Sequence, residues 1–197
     1  MSDITAKEIA KLRSKTGLPM MEVKAALVEA GGDEDKAIEI LRKKGMAKSE
    51  KRADRATSNG VIDSYVHSGR IGVLTEVLCE TDFVAKNEDF KNFAHELSLQ
   101  IAATAPKYVK SDEIPADELE EEKNIYAAQV KDSGKPENII QKIVEGKLET
   151  YYAQVCLLNQ PYFRDPKMTI SDLLNEFTAK TGEKIVISRF TRLELAG

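Results

Sequence analysis

Val61-Ile62-Asp63-Ser64-Tyr65-Val66, His67-Ser68-Gly69-Arg70 and Ile71-Gly72-Val73-Leu74-Thr75-Glu76-Val77-Leu78-Cys79 follow one another without a break. The outer stretches are apolar and β-branched with a period near two, and the middle one carries turn residues. Together they predict a β-hairpin. Downstream, Phe90, Phe93, Ala94, Leu97, Ile101 and Ala102 share one face of a helix that Pro106 stops. Far along the chain, Ile185, Ile187, Arg189, Thr191, Leu193 and Leu195 alternate as a third strand. Three strands with helices between them predict an α+β fold, a small antiparallel sheet with helices packed on it.

Upstream of the hairpin the period is helical. Thr5 and Glu8 have capping-box spacing, and Ile9 and Leu12 follow on one face. Thr16-Gly17-Leu18-Pro19 breaks that helix. Met20, Val23, Ala26 and Leu27 form the apolar side of a second, which Gly31-Gly32 ends. Asp33 then caps a third helix carrying Ala37, Ile38 and Leu41, with Gly45 as its stop. The expected division is a three-helix domain over 1–44, a basic linker over 45–58 and an α+β core over 59–197. Arg42, Lys43, Lys44, Lys48, Lys51, Arg52 and Arg55 face only Glu50 and Asp54. That run reads either as a contact for an anionic partner or as a solvated helical linker.

Beyond the long helix, residues 111–135 are acidic, with Pro115 opening an exposed helix. Pro136 opens another, with Ile139, Ile140, Ile143, Val144 and Leu148. Residues 155–168 read as a loop. A last helix holds Ile170, Leu173, Leu174 and Phe177 and ends at Gly182.

The 197 residues are 42% hydrophobic and 31% charged, a soluble globular composition. No apolar run reaches the roughly 20 residues of a membrane span. The polar N-terminus lacks a signal core, and two cysteines are too few for a disulfide scaffold, so a cytoplasmic protein is expected. Cys79 and Cys156 lie in apolar surroundings and read as inert core thiols. A net charge of −4 argues against nucleic-acid binding through the overall field. Tyr151-Tyr152 could stack on bases, but burial against the sheet is the simpler expectation. No phosphate-loop, hydrolase or zinc-protease motif occurs, and Glu120–Glu122 lack a partner acid, base or nucleophile. The sequence implies no covalent chemistry, no cofactor and no bound metal; contact with another macromolecule is the expected function.

Two places stand out for such contact. Thr81-Asp82-Phe83-Val84 lies between a buried strand and a helix, where function tends to sit. Phe83 reads either as a core aromatic beside a turn acid, or as an apolar wedge with Asp82 beside it as a directed acceptor. Met20 and Met21 are adjacent on a helix, so at least one faces outward, as an adaptable contact or a cover for the loop.

Three blocks carry a family resemblance. Leu12-Arg13-Ser14-Lys15-Thr16-Gly17-Leu18-Pro19-Met20-Met21-Glu22-Val23-Lys24-Ala25-Ala26-Leu27 resembles the N-terminal signature of bacterial elongation factor Ts. Glu76 through Thr81-Asp82-Phe83-Val84-Ala85-Lys86 resembles its second signature. Lys135 through Gly146-Lys147, running on to Leu157-Leu158-Asn159-Gln160-Pro161, resembles a third. Their order and spacing agree over nearly the whole chain. The resemblance implies a guanine-nucleotide exchange factor for the GTPase elongation factor Tu, with a ubiquitin-associated-like N-terminal domain. It implies that Thr81, Asp82, Phe83 and Val84 displace the Mg²⁺ of elongation factor Tu, so that GDP leaves. It also implies that Leu12, Met20, Met21 and Lys24 dock on the GTP-binding domain, and that the Thr181-Gly182-Glu183 turn makes a further contact. The longer relatives carry a second core half, a helical-hairpin insertion and a C-terminal module, whereas this chain ends at Leu195-Ala196-Gly197. It resembles the short form, which implies a homodimer and a two-plus-two complex. Leu18-Pro19 and Leu78 depart from the residues usual in the family. Without the resemblance, an adaptor with a ubiquitin-associated-like module, an RNA-binding protein using residues 42–55, and a small hydrolase or transferase are the other classes.

Overall fold

The computed structural model describes residues 4–131 and 136–196. Of the residues singled out above, Lys135 and Gly197 lie outside them, as do the side chains of Lys48 and Glu50. The elements run α1 (Ala6–Thr16), α2 (Met20–Glu29), α3 (Glu34–Glu50), β1 (Asn59–His67), β2 (Ile71–Cys79), α4 (Asp82–Lys86), α5 (Glu88–Thr104), α6 (Ala116–Lys131), α7 (Glu137–Val155), β3 (Pro161–Tyr162), β4 (Asp165–Thr169), α8 (Ile170–Thr181) and β5 (Val186–Glu194). The fold is α+β, with a three-stranded antiparallel sheet ordered β1-β2-β5. The chain divides into two compact units. The first takes residues up to Ile62, Glu76–Asn92 and Asp172–Ile187; the second takes Asp63–Thr75, Phe93–Ser171 and the chain from Ser188 on.

In the first unit, α1 starts where the sequence placed it. The Thr5 hydroxyl accepts the Glu8 N–H at 3.3 Å, and the Glu8 carboxylate accepts the Thr5 N–H at 2.7 Å. Gly17 closes the helix at φ 67, and its N–H donates to the Arg13 carbonyl. The Asp33 carboxylate accepts the N–H groups of Asp35 and Lys36, each at 3.1 Å, and so begins α3. Ile9, Leu12, Val23, Leu27, Ala37 and Leu41 join in one core, against which Ala179 of α8 packs. Met20 is not part of that core. It is half exposed, and Leu18 from the connecting segment is buried there instead.

The third helix does not stop at Gly45. It continues to Glu50, with Gly45 buried on the side that faces Ala179. A helical glycine costs about 1 kcal/mol relative to alanine, too little to end a helix held along one side by packing. The basic run is largely partnered within this unit. Arg42 meets Glu176 at 2.8 Å, Lys43 meets Glu39 at 2.7 Å, Lys44 meets Glu29 at 2.6 Å, and Arg55 meets Glu80 at 3.1 Å.

Gly60 sits where β1 passes closest to β2. A methyl added there would lie 2.2 Å from the Val77 carbonyl oxygen and 2.9 Å from the Leu78 Cα. Backbone cannot rotate away as a side chain can. Gly60→Ala is therefore expected to destabilise the protein by about 1–3 kcal/mol, measured by urea denaturation; an unchanged midpoint would refute the close approach.

In the second unit, the β1–β2 turn holds Ser68 at φ 50 and Gly69 at φ 67, and the Arg70 N–H donates to the His67 carbonyl at 2.9 Å. Two positive φ values are what a two-residue hairpin matched to strand twist requires. Three contacts show which sheet face α5 covers. The Ser98 hydroxyl donates to the Thr75 hydroxyl at 3.0 Å, His95 meets Asp63 at 3.2 Å, and the Arg192 guanidinium donates to the Ala102 carbonyl. Strand alternation then turns Val66, Leu74 and Leu193 to the other face, where all three are exposed.

The helices α6 and α7 pack together, and the acidic α6 is not merely an exposed helix. The Glu118 carboxylate accepts hydrogen bonds from the Tyr108 and Tyr151 hydroxyls, each at 2.6 Å, and from Lys107 at 3.2 Å. Those bonds, Tyr108's first, hold its pKa at about 2. Tyr151 is buried in a cluster with Ile114, Val155 and Cys156 rather than against the sheet. Of the apolar residues noted on α7, Leu148 is buried while Ile139 stays exposed. Residues 155–168 are not wholly a loop. They form a 3-10 turn (Leu157–Asn159), the short strand β3 and the start of its antiparallel partner β4. Buried Gln100 fixes this ribbon: its amide NH₂ donates to the Gln160 side chain and the Pro161 carbonyl, and its oxygen accepts the Phe163 N–H.

Candidate functional site

Thr81 to Val84 is the start of a helix rather than a loop. Thr81 is the N-cap of the five-residue α4, and its hydroxyl accepts the Val84 N–H at 3.4 Å. Asn87 ends α4, its N–H donating to the Val84 carbonyl at 3.0 Å, and its side chain then accepts the Asp89 N–H at 2.9 Å at the start of α5. A segment this short cannot support itself as an isolated helix, so its neighbours set its direction.

Phe83 is 82% exposed. The reading of it as a core aromatic is therefore not met, and its whole ring is available to another surface. Asp82 is also exposed and pairs with Lys86 at 2.6 Å across one helical turn. The Lys86 ammonium holds the Asp82 carboxyl below the usual range, so it is ionised at neutral pH. An ion pair this exposed is screened by solvent and contributes little to stability. A partner's donor can take Asp82 from Lys86 at little cost. Val84 is half buried and anchors the turn.

Behind α4 stands Glu183, in the turn after α8. One of its carboxylate oxygens accepts the N–H groups of Glu80 and Thr81, at 3.1 and 3.0 Å. The other accepts the Thr81 hydroxyl at 2.6 Å. Gly182 turns the chain at φ 76 and is exposed; the half-buried Thr181 hydroxyl is tied back to the Phe177 carbonyl at 3.0 Å. Glu80, Thr81 and Glu183 thus belong to one cluster, which spacing alone could not reveal across a hundred residues of chain.

On the N-terminal helices the residues named from the sequence separate. Met20 is 51% exposed, Met21 is 72% exposed, and Lys24 is exposed one turn on. Leu12 is 1% exposed, inside the three-helix core. It therefore supports the helices from beneath, and its assignment as a contact residue is corrected. Burial raises the thiols of Cys79 and Cys156 to about 11, so neither is a ready nucleophile. Among the described residues, no group of His, Cys, Asp and Glu is placed to hold a metal ion, and no helix is long and apolar enough to cross a membrane.

The family model described as Elongation factor TS matches residues 6–196. The elongation factor Ts of Thermotoga petrophila is 55% identical over 194 residues, covering 98% of this chain and 96% of the relative. That of Caldanaerobacter subterraneus subsp. tengcongensis is 53% identical over 192 residues, covering 97% and 96%. That of Desulforamulus reducens is 50% identical over 196 residues, covering 99% and 90%. The family model and these relatives define the class, a translation elongation factor. Within that class, the chain belongs to the elongation factor Ts family.

Proposed function

We propose that this chain binds elongation factor Tu in its GDP form, displaces Mg²⁺ there and releases GDP for exchange with GTP. The observation that carries the reading is Phe83, a large apolar ring held almost wholly in solvent at the start of a buttressed helix, in a member of this family. Thr81, Asp82, Phe83 and Val84 form the wedge. Met20, Met21 and Lys24 anchor the GTP-binding domain, and Thr181 and Gly182 add a side contact. Residues 1–44 serve as the anchoring domain, 45–58 as its linker and 59–197 as the core that exchanges and dimerises, in the cytoplasm.

Exchange needs no bond to be made or broken by the factor. It needs the factor to prefer the nucleotide-free GTPase. A 10⁴-fold loss of nucleotide affinity requires about 5.5 kcal/mol of differential contact. Burying one Phe ring supplies roughly 1.5–3 kcal/mol. Loss of Mg²⁺ coordination on the GTPase, a large local charge change, supplies the remainder. The apolar sheet face bearing Val66, Leu74 and Leu193, with Leu195 beyond it, supports a homodimer in which two copies cover each other's sheets. A two-plus-two complex follows.

Light scattering of the chain alone, then with elongation factor Tu, with and without GDP and Mg²⁺, tests partner, stoichiometry and antagonism together. The expected results are a dimer, a four-chain complex, and its dissociation by nucleotide. A complex indifferent to GDP would overturn the exchange reading, because coupling between factor and nucleotide is reciprocal.

A further inference from the structure

Glu183 lies in the turn that family resemblance marks as a contact, yet its carboxylate points back into its own unit. Both oxygens are engaged there: one takes the N–H groups of Glu80 and Thr81, and the other takes the Thr81 hydroxyl at 2.6 Å. The bonding is reciprocal. One Glu80 carboxylate oxygen accepts the Lys184 N–H at 2.6 Å, and the Arg55 guanidinium donates to that same oxygen at 3.1 Å and to the other at 3.3 Å. Asn59 adds a bond from its side-chain NH₂ to the Glu80 carbonyl at 2.9 Å. Two adjacent residues on one segment, 80–81, are thus clasped by two adjacent residues on another, 183–184.

We infer that Glu183 is a positioning residue for nucleotide exchange: it fixes the Thr81 cap, and through that cap the direction in which Phe83 leaves the surface. This rests on the exchange reading above. The helix carrying Phe83 has five residues and no fully buried side chain, only half-buried Val84 and Ala85, so burial alone does not set its orientation. Its start is set by Thr81. The Thr81 hydroxyl has one proton, which goes to the Glu183 carboxylate, leaving its lone pairs to accept the Val84 N–H. A hydroxyl that donates to an ion is the better acceptor for it. Remove the carboxylate charge, and the cap weakens at both its backbone and its side-chain bonds. Phe83 then samples directions in which it cannot wedge. The partner's affinity, set mainly by Met20, Met21 and Lys24, changes little.

The test uses the full chain, elongation factor Tu loaded with fluorescent GDP, and stopped-flow release across factor concentration. Glu183→Gln keeps size but leaves at most one acceptor oxygen for three donors. It should lower the saturated release rate about tenfold while shifting the half-saturating concentration less than about threefold. In a Phe83→Ala background the same change should cost less than about twofold, because the ring it positions is gone. Thr81→Val should reproduce Glu183→Gln, and Thr81→Ser, which restores the hydroxyl, should recover most of the rate. A Glu183→Gln rate equal to that of the unaltered chain overturns the inference. So does full additivity with Phe83→Ala, which would mark a merely structural role. Amide hydrogen exchange on the isolated chain separates this inference from the exchange reading. The Thr81 and Val84 amides should lose about tenfold protection in Glu183→Gln, with the Val77 amide unaltered. Unchanged protection overturns the clasp whether or not the unaltered chain releases GDP. An unaltered chain that releases no GDP while its variant loses protection overturns only the exchange reading and leaves the clasp supported.

Discussion

Phe83→Ala is expected to lower the saturated rate of GDP release from elongation factor Tu about 10- to 150-fold, the span set by roughly 1.5–3 kcal/mol of ring burial. Its effect on the fold is small. With 82% of the residue in solvent, the ring contributes almost nothing to its own core, so truncation leaves no cavity. Its effect on affinity is smaller than its effect on rate. Under the proposed function the ring acts on the strained, nucleotide-free form, while Met20, Met21 and Lys24 hold the GTPase in either form. Stopped-flow measurement at saturating factor reads the effect directly. A release rate unaltered by the substitution would sink the wedge, and a rate lost only through weaker binding would make Phe83 an anchor instead.

The sequence carried the fold because its signals were local and strong. The hairpin was legible from alternation on both sides of Ser68-Gly69, and both turn residues take the positive φ that such a turn needs. Thr5, Glu8, Gly17 and Asp33 announced helix ends, and each makes the cap its type implies. What escaped depends on residues distant in sequence. Gly45 reads as a stop, but packing beside Ala179 keeps the helix going. Pro161–Tyr162 is too short for any period to register, and its ribbon is held by Gln100, sixty residues away. Glu118 looked like one acid among many, because the tyrosines that engage it lie on other elements.

The site divided along the same line. The signature around Phe83 pointed to a surface, and the ring stands on one. The signature around Leu12 mixed two kinds of residue that a motif does not distinguish. Spacing with Ile9 had already put Leu12 on the buried side of its helix. Glu183 was legible only as part of a turn, since nothing local says that its carboxylate reaches Thr81.

Leu12→Ala and Met21→Ala separate those two kinds of residue by measurement. Leu12 is wholly enclosed by the three-helix core, so removing three carbons leaves a cavity and costs about 2–5 kcal/mol. So small a helical core has little stability to spare. The expected result is an early loss of helical signal on heating or in urea, with contact to elongation factor Tu lost because the helices no longer present Met20 and Met21 together. Met21 is 72% exposed on the next helix. Its truncation should change stability by no more than about 0.5 kcal/mol. It should instead raise the half-saturating concentration for GDP release and leave the saturated rate nearly intact. The opposite pattern, a stable Leu12→Ala chain with weakened binding beside an unstable Met21→Ala chain, would return Leu12 to the interface and remove Met21 from it. Burial makes the choice between them: a leucine with no surface to offer can act only through the helices it holds in place.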